Sequence, residues 1–287
     1  MSFPSSSPSR PSPAAPGSPD SSPAPDDVVA RLRASGCVFA EDEARLLVAE
    51  ARTPDELAAM VDRRAAGLPL EQVLGWAEFC GLRMAVDPGV FVPRRRTEFL
   101  VRQAAALARR AAGRSRTVVV DLCCGSGALG AALAAALGGD GRPVELYAAD
   151  VDPAAVRCAR RNVAAADGRV YEGDLYEPLP AALRGRVDVL LANTPYVPTG
   201  EIGLLPPEAR EHEPLVALDG GPDGLDVQRR VIEEAPRWLA PGGHLLVETG
   251  ERQAPRAAGA MARGGLVPRV VTSEELYATV VVGTLGV

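Results

Sequence analysis

The chain contains no lysine; all 31 of its basic residues are arginine. With alanine and glycine abundant, that absence reads as compositional bias and carries no functional message. Set against 37 acidic residues, the arginines leave a net charge of −6. That balance argues against a broad phosphate-backbone surface, which needs basic excess. Histidine is nearly missing: His212 and His244 are the two present, so a zinc site has little to draw on. The five cysteines, Cys37, Cys80, Cys123, Cys124 and Cys158, are odd in number and show no paired metal spacing. Adjacent Cys123 and Cys124 are poorly placed for a bridge. Small buried thiols in a reducing cytoplasm are the expected reading. No run of about 18 apolar residues occurs, so no membrane span is expected. The N-terminus lacks a charged stretch followed by an apolar one, so no signal peptide is expected.

What is present suffices for a core: 47% of the 287 residues are hydrophobic. Residues 1 to about 25 are almost entirely Ser, Pro, Ala and Gly and should form a disordered tail. From Asp26 to about Leu74 the pattern is helical. Val28, Val29 and Leu32 follow an acidic pair, and Ala44, Leu47 and Val48 share a side. Thr53-Pro54-Asp55-Glu56 spells a capping box. Residues 79–92 then look extended, with Asp87-Pro88-Gly89 as a hairpin turn. Thr97 can cap a helix running to about Ala111.

After Arg116 strands and helices alternate. Strands are expected at 117–122, 144–149, 169–171, 187–192, 244–249, 269–272 and 277–282. Helices are expected at 128–137, from Pro153 (capped by Asp152) to Val163, and at 227–239, the last ended by Pro241-Gly242-Gly243. Such alternation implies a parallel sheet covered on both faces.

Two motifs sit at strand ends. Asp121-x-x-x-Gly125-x-Gly127, with Cys123, Cys124 and Ser126 between, joins a strand to a helix, where a glycine turn lets backbone approach a ligand. One strand on, Asp150 can accept hydrogen bonds from ribose hydroxyls. After the next, Asp174 in Gly173-Asp174-Leu175 can reach an adenine amino group. With Cys123 two residues before Gly125, the loop is read as fitting S-adenosylmethionine better than a dinucleotide. The second motif is Asn193-Thr194-Pro195-Tyr196. A planar nitrogen is a poor nucleophile because its lone pair is delocalised. Acceptors on its hydrogens, here Asn193 Oδ1 and the residue 194 carbonyl, would aim it at a sulfonium methyl. Pro195 stiffens the turn, and Tyr196 offers a face for a flat group. Either motif alone also fits an ordinary strand-ending turn; their order in one sheet points to methyl transfer.

From about residue 30 onward the sequence resembles the protein-(glutamine-N5) methyltransferases that modify peptide-chain release factors. The resemblance is carried by Arg63-Arg64-x-x-Gly67-x-Pro69 and Gly75-x-x-Glu78-Phe79-x-Gly81-Leu82. It continues through Val92-Pro93-Arg94-Arg95-Arg96-Thr97-Glu98 and Gly173-Asp174-Leu175-Tyr176-Glu177-Pro178-Leu179. Glu213-Pro214-x-x-Ala217-Leu218, Gly220-Gly221-x-Asp223-Gly224-Leu225, Pro241-Gly242-Gly243 and Glu248-x-Gly250-x-x-Gln253 complete it. It implies a class I, Rossmann-like α/β domain with a seven-stranded, mostly parallel sheet, preceded by a small helical domain that recognises the protein substrate. The expected division is a tail at 1–25, helices at 26–78, a hairpin and linker helix at 79–113, and a methyltransferase domain at 114–287. By resemblance, Cys123 through Gly127, Asp150, Leu175 and Asn193 line S-adenosylmethionine, while Asn193, Thr194, Pro195 and Tyr196 hold a glutamine amide.

Two residues depart from that family's pattern. Thr194 replaces the first proline of Asn-Pro-Pro-Tyr, and Cys123 replaces the first glycine of the cofactor loop. Both suggest a diverged member whose acceptor need not be a release factor. Adenine-N6 methylation of DNA or RNA, with the base flipped onto Tyr196, stays open as a second reading, against which the acidic charge counts. Binding of S-adenosylmethionine without turnover is a third. The run Arg94-Arg95-Arg96 is expected on a solvated face, with Arg94 a candidate for closing the channel. His212 is expected in a solvated loop, and Trp76 and Trp238 in packing.

Overall fold

The computed structural model describes residues 25–110 and 116–287. The N-terminal tail anticipated from composition lies outside them. The chain divides into two compact units, Met1–Ala65 and Ala66–Val287.

The first unit contains α1 (Pro25–Ala34), α2 (Ala40–Glu50) and α3 (Pro54–Ala65). Val28, Leu32, Ala44, Leu47, Leu57 and Met60, spaced at helical intervals, are buried. The capping box forms at α3: Thr53 Oγ1 accepts the Glu56 amide at 3.1 Å. The Glu56 carboxylate reaches back to the Arg52 amide at 2.9 Å. A forked pair, Arg64 Nε and Nη2 on Glu43 Oε2 and Oε1 at 2.6 and 3.1 Å, adds a directional tie within the unit.

The second unit begins with α4 (Leu70–Leu74) and a hairpin of β1 (Trp76–Phe79) and β2 (Leu82–Ala85). The turn is Cys80-Gly81, because Phe79 pairs with Leu82, and not the expected Asp87-Pro88-Gly89, which follows the hairpin. Both turn residues have positive φ, 52° and 73°, the backbone hand that two-residue hairpins need. Cys80 is fixed in that conformation by Glu98, whose carboxylate accepts its amide at 3.0 Å.

Then follow α5 (Glu98–Arg110), β3 (Thr117–Leu122), α6 (Ala128–Gly139), β4 (Val144–Asp150), α7 (Pro153–Asn162), β5 (Arg169–Glu172) and β6 (Val187–Ala192). The chain closes with α8 (Pro207–His212), α9 (Asp226–Trp238), β7 (Leu239–Glu248), α10 (Ala254–Arg263), β8 (Leu266–Ser273) and β9 (Ala278–Leu285). The seven-stranded sheet runs β5-β4-β3-β6-β7-β9-β8. Its first five strands are parallel, and β9 is antiparallel to both β7 and β8. Among the described residues no helix is long and apolar enough to cross a membrane.

Both sheet faces are buried, so β3 and β6 are apolar at nearly every position. On one face Val119, Leu146, Leu191 and Leu246 pack with α5 and α6. On the other, Val118, Val120, Tyr147 and Leu190 pack with α9 and α10. This is the period of two of an extended chain. Strand order reverses between β3 and β6, and such a switch point opens a crevice beyond the carboxyl ends of the strands.

One further local expectation is corrected, and one helix was not anticipated. The helix at 226–238 ends without Pro241-Gly242-Gly243, which lies inside β7. Pairing with β6 shifts register there, Val187 opposing Leu239 but Val189 opposing His244. A Cβ on Gly243 would sit 2.6 Å from the Val187 carbonyl oxygen, so only glycine fits. Helix α10 carried no clear sequence signal, being rich in small residues around a proline.

Candidate active site

A cavity of about 680 Å³ opens beyond the ends of β3, β4 and β6, in the size range of small-molecule sites. It gathers every residue proposed from the two motifs except Gly127: Cys123, Cys124, Gly125, Ser126, Asp150, Asp174, Leu175, Asn193, Thr194, Pro195 and Tyr196. Gly127 lies between the lining residues Ser126 and Ala128 and is the N-cap of α6.

The β3–α6 loop is built from left-handed residues: Cys123 at φ 52°, Gly125 at 53° and Gly127 at 76°. At Gly127 a Cβ would meet Ala159 Cβ at 3.0 Å. The loop is pinned to β4 by Asp150, whose Oδ2 accepts the Gly125 amide at 2.8 Å and Oδ1 the Asp152 amide at 2.9 Å. Asp150 thus shapes the loop before any ligand is considered, and it also lines the cavity. Burial pushes its carboxyl above the ordinary range, opposed by those backbone donors. Asp152 also caps α7 through the Ala154 amide at 2.8 Å, as expected. Gly130 completes a Gly125-x-Gly127-x-x-Gly130 run, and a Cβ there would meet Leu146 Cδ1 at 3.0 Å. The dinucleotide spacing is therefore present, which corrects the argument drawn from Cys123; loop spacing alone does not choose the cofactor.

Leu175 follows β5 with φ 49°. Beside it, Asp174 is half-exposed and paired with Arg230 at 2.6 Å, so one of its oxygens is committed.

The Asn193–Tyr196 turn ends β6. Asn193 Oδ1 and Thr194 Oγ1 are both buried and without a hydrogen-bond partner. Leaving such atoms bare costs about 1–3 kcal/mol each. Tyr196 is held at its hydroxyl, which donates to Glu248 Oε1 at 3.0 Å and accepts from Arg96 Nη2 at 2.6 Å. Arg96 Nε donates to the same Glu248 oxygen at 3.2 Å. Burial, then the Glu248 charge, raises the Tyr196 phenol above its usual range, so it stays protonated. The backbone of the turn is tied down by Gln253, whose Nε2 donates to the Tyr196 carbonyl at 2.9 Å and the Asp223 carbonyl at 3.0 Å. Its Oε1 accepts the Gly250 amide at 3.0 Å. Val197 pairs with residues 218–220 through Val197 N to Leu218 O and Gly220 N to Val197 O. Gly220 is obligatory in that seam: a Cβ would sit 2.7 Å from the Pro195 carbonyl oxygen.

Four more lining residues, Arg94, Arg96, Thr97 and Glu213, lie outside the two motifs. Thr97 is buried, and its Oγ1 has no partner. It lines the cavity and is not the expected helix cap. Glu213 Oε1 accepts the Val92 amide at 3.2 Å and Arg94 Nη2 at 2.6 Å, while Oε2 is buried and bare. Arg94 and Arg96 also line the cavity and each engages a buried carboxylate, so the arginine run is not simply a solvated face. His212 is half-buried on α8 and is not part of the lining. Trp238 packs against Tyr176, ring centroids 5.3 Å apart, and Arg83 covers Trp76 at 4.2 Å.

The cavity thus gathers a glycine turn, a carboxylate, and bare acceptors beside a fixed phenol ring. That set can seat a nucleoside-sized ligand and grip the hydrogens of a flat nitrogen.

Residues 82–203 match the family model described as "Methyltransferase small domain". The chain is 42% identical over 217 residues to the release factor glutamine methyltransferase of Geobacter sulfurreducens, covering 74% of this chain and 72% of that one. It is 38% identical over 242 residues to the protein of the same name from Mycolicibacterium smegmatis, covering 82% of each. It is also 39% identical over 197 residues to the 4-amino-L-phenylalanine/4-methylamino-L-phenylalanine methyltransferase of Streptomyces pristinaespiralis, covering 67% of this chain and 65% of that one.

Proposed function

This chain belongs to the release factor glutamine methyltransferase family, and from that premise we propose that it methylates the side-chain amide of a glutamine in a protein, with S-adenosylmethionine as donor. A peptide-chain release factor is the acceptor that the relatives' names suggest. The observation that carries the proposal is Asn193 Oδ1, an acceptor buried without a partner beside Tyr196 in the cavity that also holds Asp150 and the glycine loop.

The donor's fit rests on that cavity's own features. Asp150 retains lone pairs for hydroxyls, and Cys123 through Gly127 bring backbone close to a ligand. Leu175 offers an apolar contact, and one Asp174 oxygen is not used by Arg230. When bound, S-adenosylmethionine supplies an electrophilic methyl on a sulfonium. Asn193 Oδ1 and the Thr194 carbonyl each take one amide hydrogen of the glutamine. Gripped so, the nitrogen turns its lone pair out of conjugation, and the acceptors strengthen as positive charge grows on it. Protonated Tyr196 gives the flat amide a wall, and Pro195 limits the turn's drift. Orientation of this kind is worth several kcal/mol of barrier. No dedicated base is required, since the alkylated nitrogen is acidic enough to shed its proton to water.

Residues 26–78 are proposed to recognise the acceptor protein and residues 114–287 to carry the transfer, in the cytoplasm. The test is transfer of labelled methyl from S-adenosylmethionine to a purified release factor or a proteome fraction, with the label located by mass spectrometry. Label on a glutamine side-chain nitrogen is the expected result; label on nucleic acid, or none, overturns the proposal.

A further inference from the structure

Arg94 and Arg96 stand two residues apart around the 3₁₀ turn Arg95–Thr97. Each reaches a buried carboxylate from a distant segment, Arg94 that of Glu213 and Arg96 that of Glu248. The second clasp has a feature the first lacks. Arg96 Nε donates to Glu248 Oε1 at 3.2 Å, and Arg96 Nη2 donates to the Tyr196 hydroxyl at 2.6 Å. That hydroxyl donates in turn to the same Glu248 oxygen at 3.0 Å. Guanidinium, carboxylate and phenol therefore close a triangle, and Tyr196 and Arg96 both line the first cavity. The guanidinium carbon lies over the Tyr196 ring, 5.8 Å from its centroid, within cation–π reach. One face of the ring is thus covered, and the other is left for a flat group.

The two ends of this ion pair differ in exposure. The Glu248 side chain is 3% exposed and the Arg96 side chain 47%. A pair open to solvent at both ends is worth little. Here the carboxylate is shut away, so losing its cation leaves a buried charge uncompensated. Among the described residues Arg96 is the one cation paired with Glu248, and the Tyr196 hydroxyl is the other donor to its side chain. The backbone of Glu248 is held on two sides. It ends β7 opposite Val280 of β9, and its carbonyl accepts Gln228 Nε2 at 3.0 Å. A carboxylate so anchored can fix the phenol only while its charge is balanced.

We propose that Arg96 is a positioning residue for the methyl transfer: it balances Glu248 and pins the Tyr196 ring, so that the glutamine amide meets its wall at one fixed angle. The inference rests on the reading that a glutamine amide is gripped at Asn193. Arg96 acts through Tyr196 and not on the reacting atoms. Lysine replaces it only in part, because a point charge lacks the planar fork that spans carboxylate and hydroxyl while lying against the ring.

The test uses the full chain labelled with ring-¹³C tyrosine, and a purified release factor as acceptor. Among the five tyrosines, the Tyr196 signal is the one lost in Tyr196→Phe. In Arg96→Ala that signal should shift and broaden while the other four hold. Turnover should fall about 10²-fold, the cost of a displacement near 1 Å at a group that orients reactants, with the acceptor KM and the calorimetric affinity for S-adenosylmethionine each within about threefold. Millimolar guanidinium, too dilute to unfold the chain, should raise the variant's turnover at least about fivefold by refilling the fork. Arg96→Lys should show the same changes at lower amplitude, and it serves if the alanine variant does not fold. Arg96→Ala/Glu248→Gln should be no slower than Arg96→Ala and should unfold at higher urea, since the stranded charge is gone and the Gln oxygen still accepts the phenol. A folded Arg96→Ala that turns over within about twofold of wild type overturns the proposal. So does a slowed variant with an unchanged Tyr196 signal, one indifferent to guanidinium, or losses that simply add in the double variant. Failure of the parent reading looks different: the Tyr196 signal is released in Arg96→Ala as described, yet wild type itself places no methyl on glutamine.

Discussion

Replacing Gln253 tests whether the Asn193–Tyr196 turn is positioned from a distance. Gln253 precedes α10 and is not part of the first cavity's lining, yet its amide donates to both the Tyr196 and Asp223 carbonyls. Its oxygen takes the Gly250 amide. In Gln253→Ala three backbone groups lose their partner. At about 1 kcal/mol net for each bond, the sum is about 3 kcal/mol; water reaching this half-buried site lowers it toward about 1. The effect on turnover is steeper, because a displacement near 1 Å of the group holding a nucleophile costs about 10²-fold. Gln253→Glu separates donation from bulk. It keeps the acceptor, removes both donations, and sets a carboxylate against two carbonyl oxygens. It should therefore be no better than alanine. Urea unfolding, calorimetric cofactor affinity and steady-state methyl transfer read the three quantities. The expected pattern is modest destabilisation, near-normal cofactor affinity, and a large fall in kcat for both variants. A folded Gln253→Ala enzyme turning over within twofold of wild type would refute the reasoning.

Two further outcomes follow from strain and burial. Cys123 sits at φ 52°, where an L-residue costs about 1–2 kcal/mol; Cys123→Gly, which also frees the unfolded chain, should change stability by less than about 1 kcal/mol. Cys123→Val, β-branched in the same conformation, should lose clearly more, and a thermal melt that ranks them otherwise contradicts the strain. Burial pushes Asp121 up to about 8, offset in part by the Gly130 amide on its Oδ2. The native chain therefore keeps a proton that the unfolded chain releases, and this group's contribution to stability falls as pH rises from about 4 to about 8. Asp121→Asn should flatten that slope in unfolding titrations; an identical slope would show that another group sets it.

Much of this fold is legible in the sequence wherever one strand's own residues decide. β3 and β6 are apolar at nearly every position because both faces are covered, and the Asp152-Pro153 start of α7 is written locally. The hairpin turn was not legible, because Cys80-Gly81 lacks the usual Asn-Gly or Asp-Gly signal while Asp87-Pro88-Gly89 displays a stronger one nearby. What excluded that choice is the pairing of Phe79 with Leu82, backed by a carboxylate on α5. Thr97 reads as a cap by type and place, and only the chain packed around it leaves its hydroxyl buried and without a partner in the cavity lining. The motif residues were found because they adjoin strand ends. Glu213, Glu248 and Gln253 act on partners 52 to 121 residues away, and no spacing rule reaches that far. Resemblance carried them only as letters in a pattern; the geometry assigns each a bonding partner.

Asn193→Ala bears most directly on the account, measured as kcat for glutamine methylation alongside calorimetric affinity for S-adenosylmethionine. Loss of the bare oxygen should lower kcat by about 10²-fold or more, in keeping with removal of one group aimed at developing charge, while the donor still binds within about tenfold. Full turnover by the variant, or label found on any atom other than a glutamine side-chain nitrogen, would contradict it.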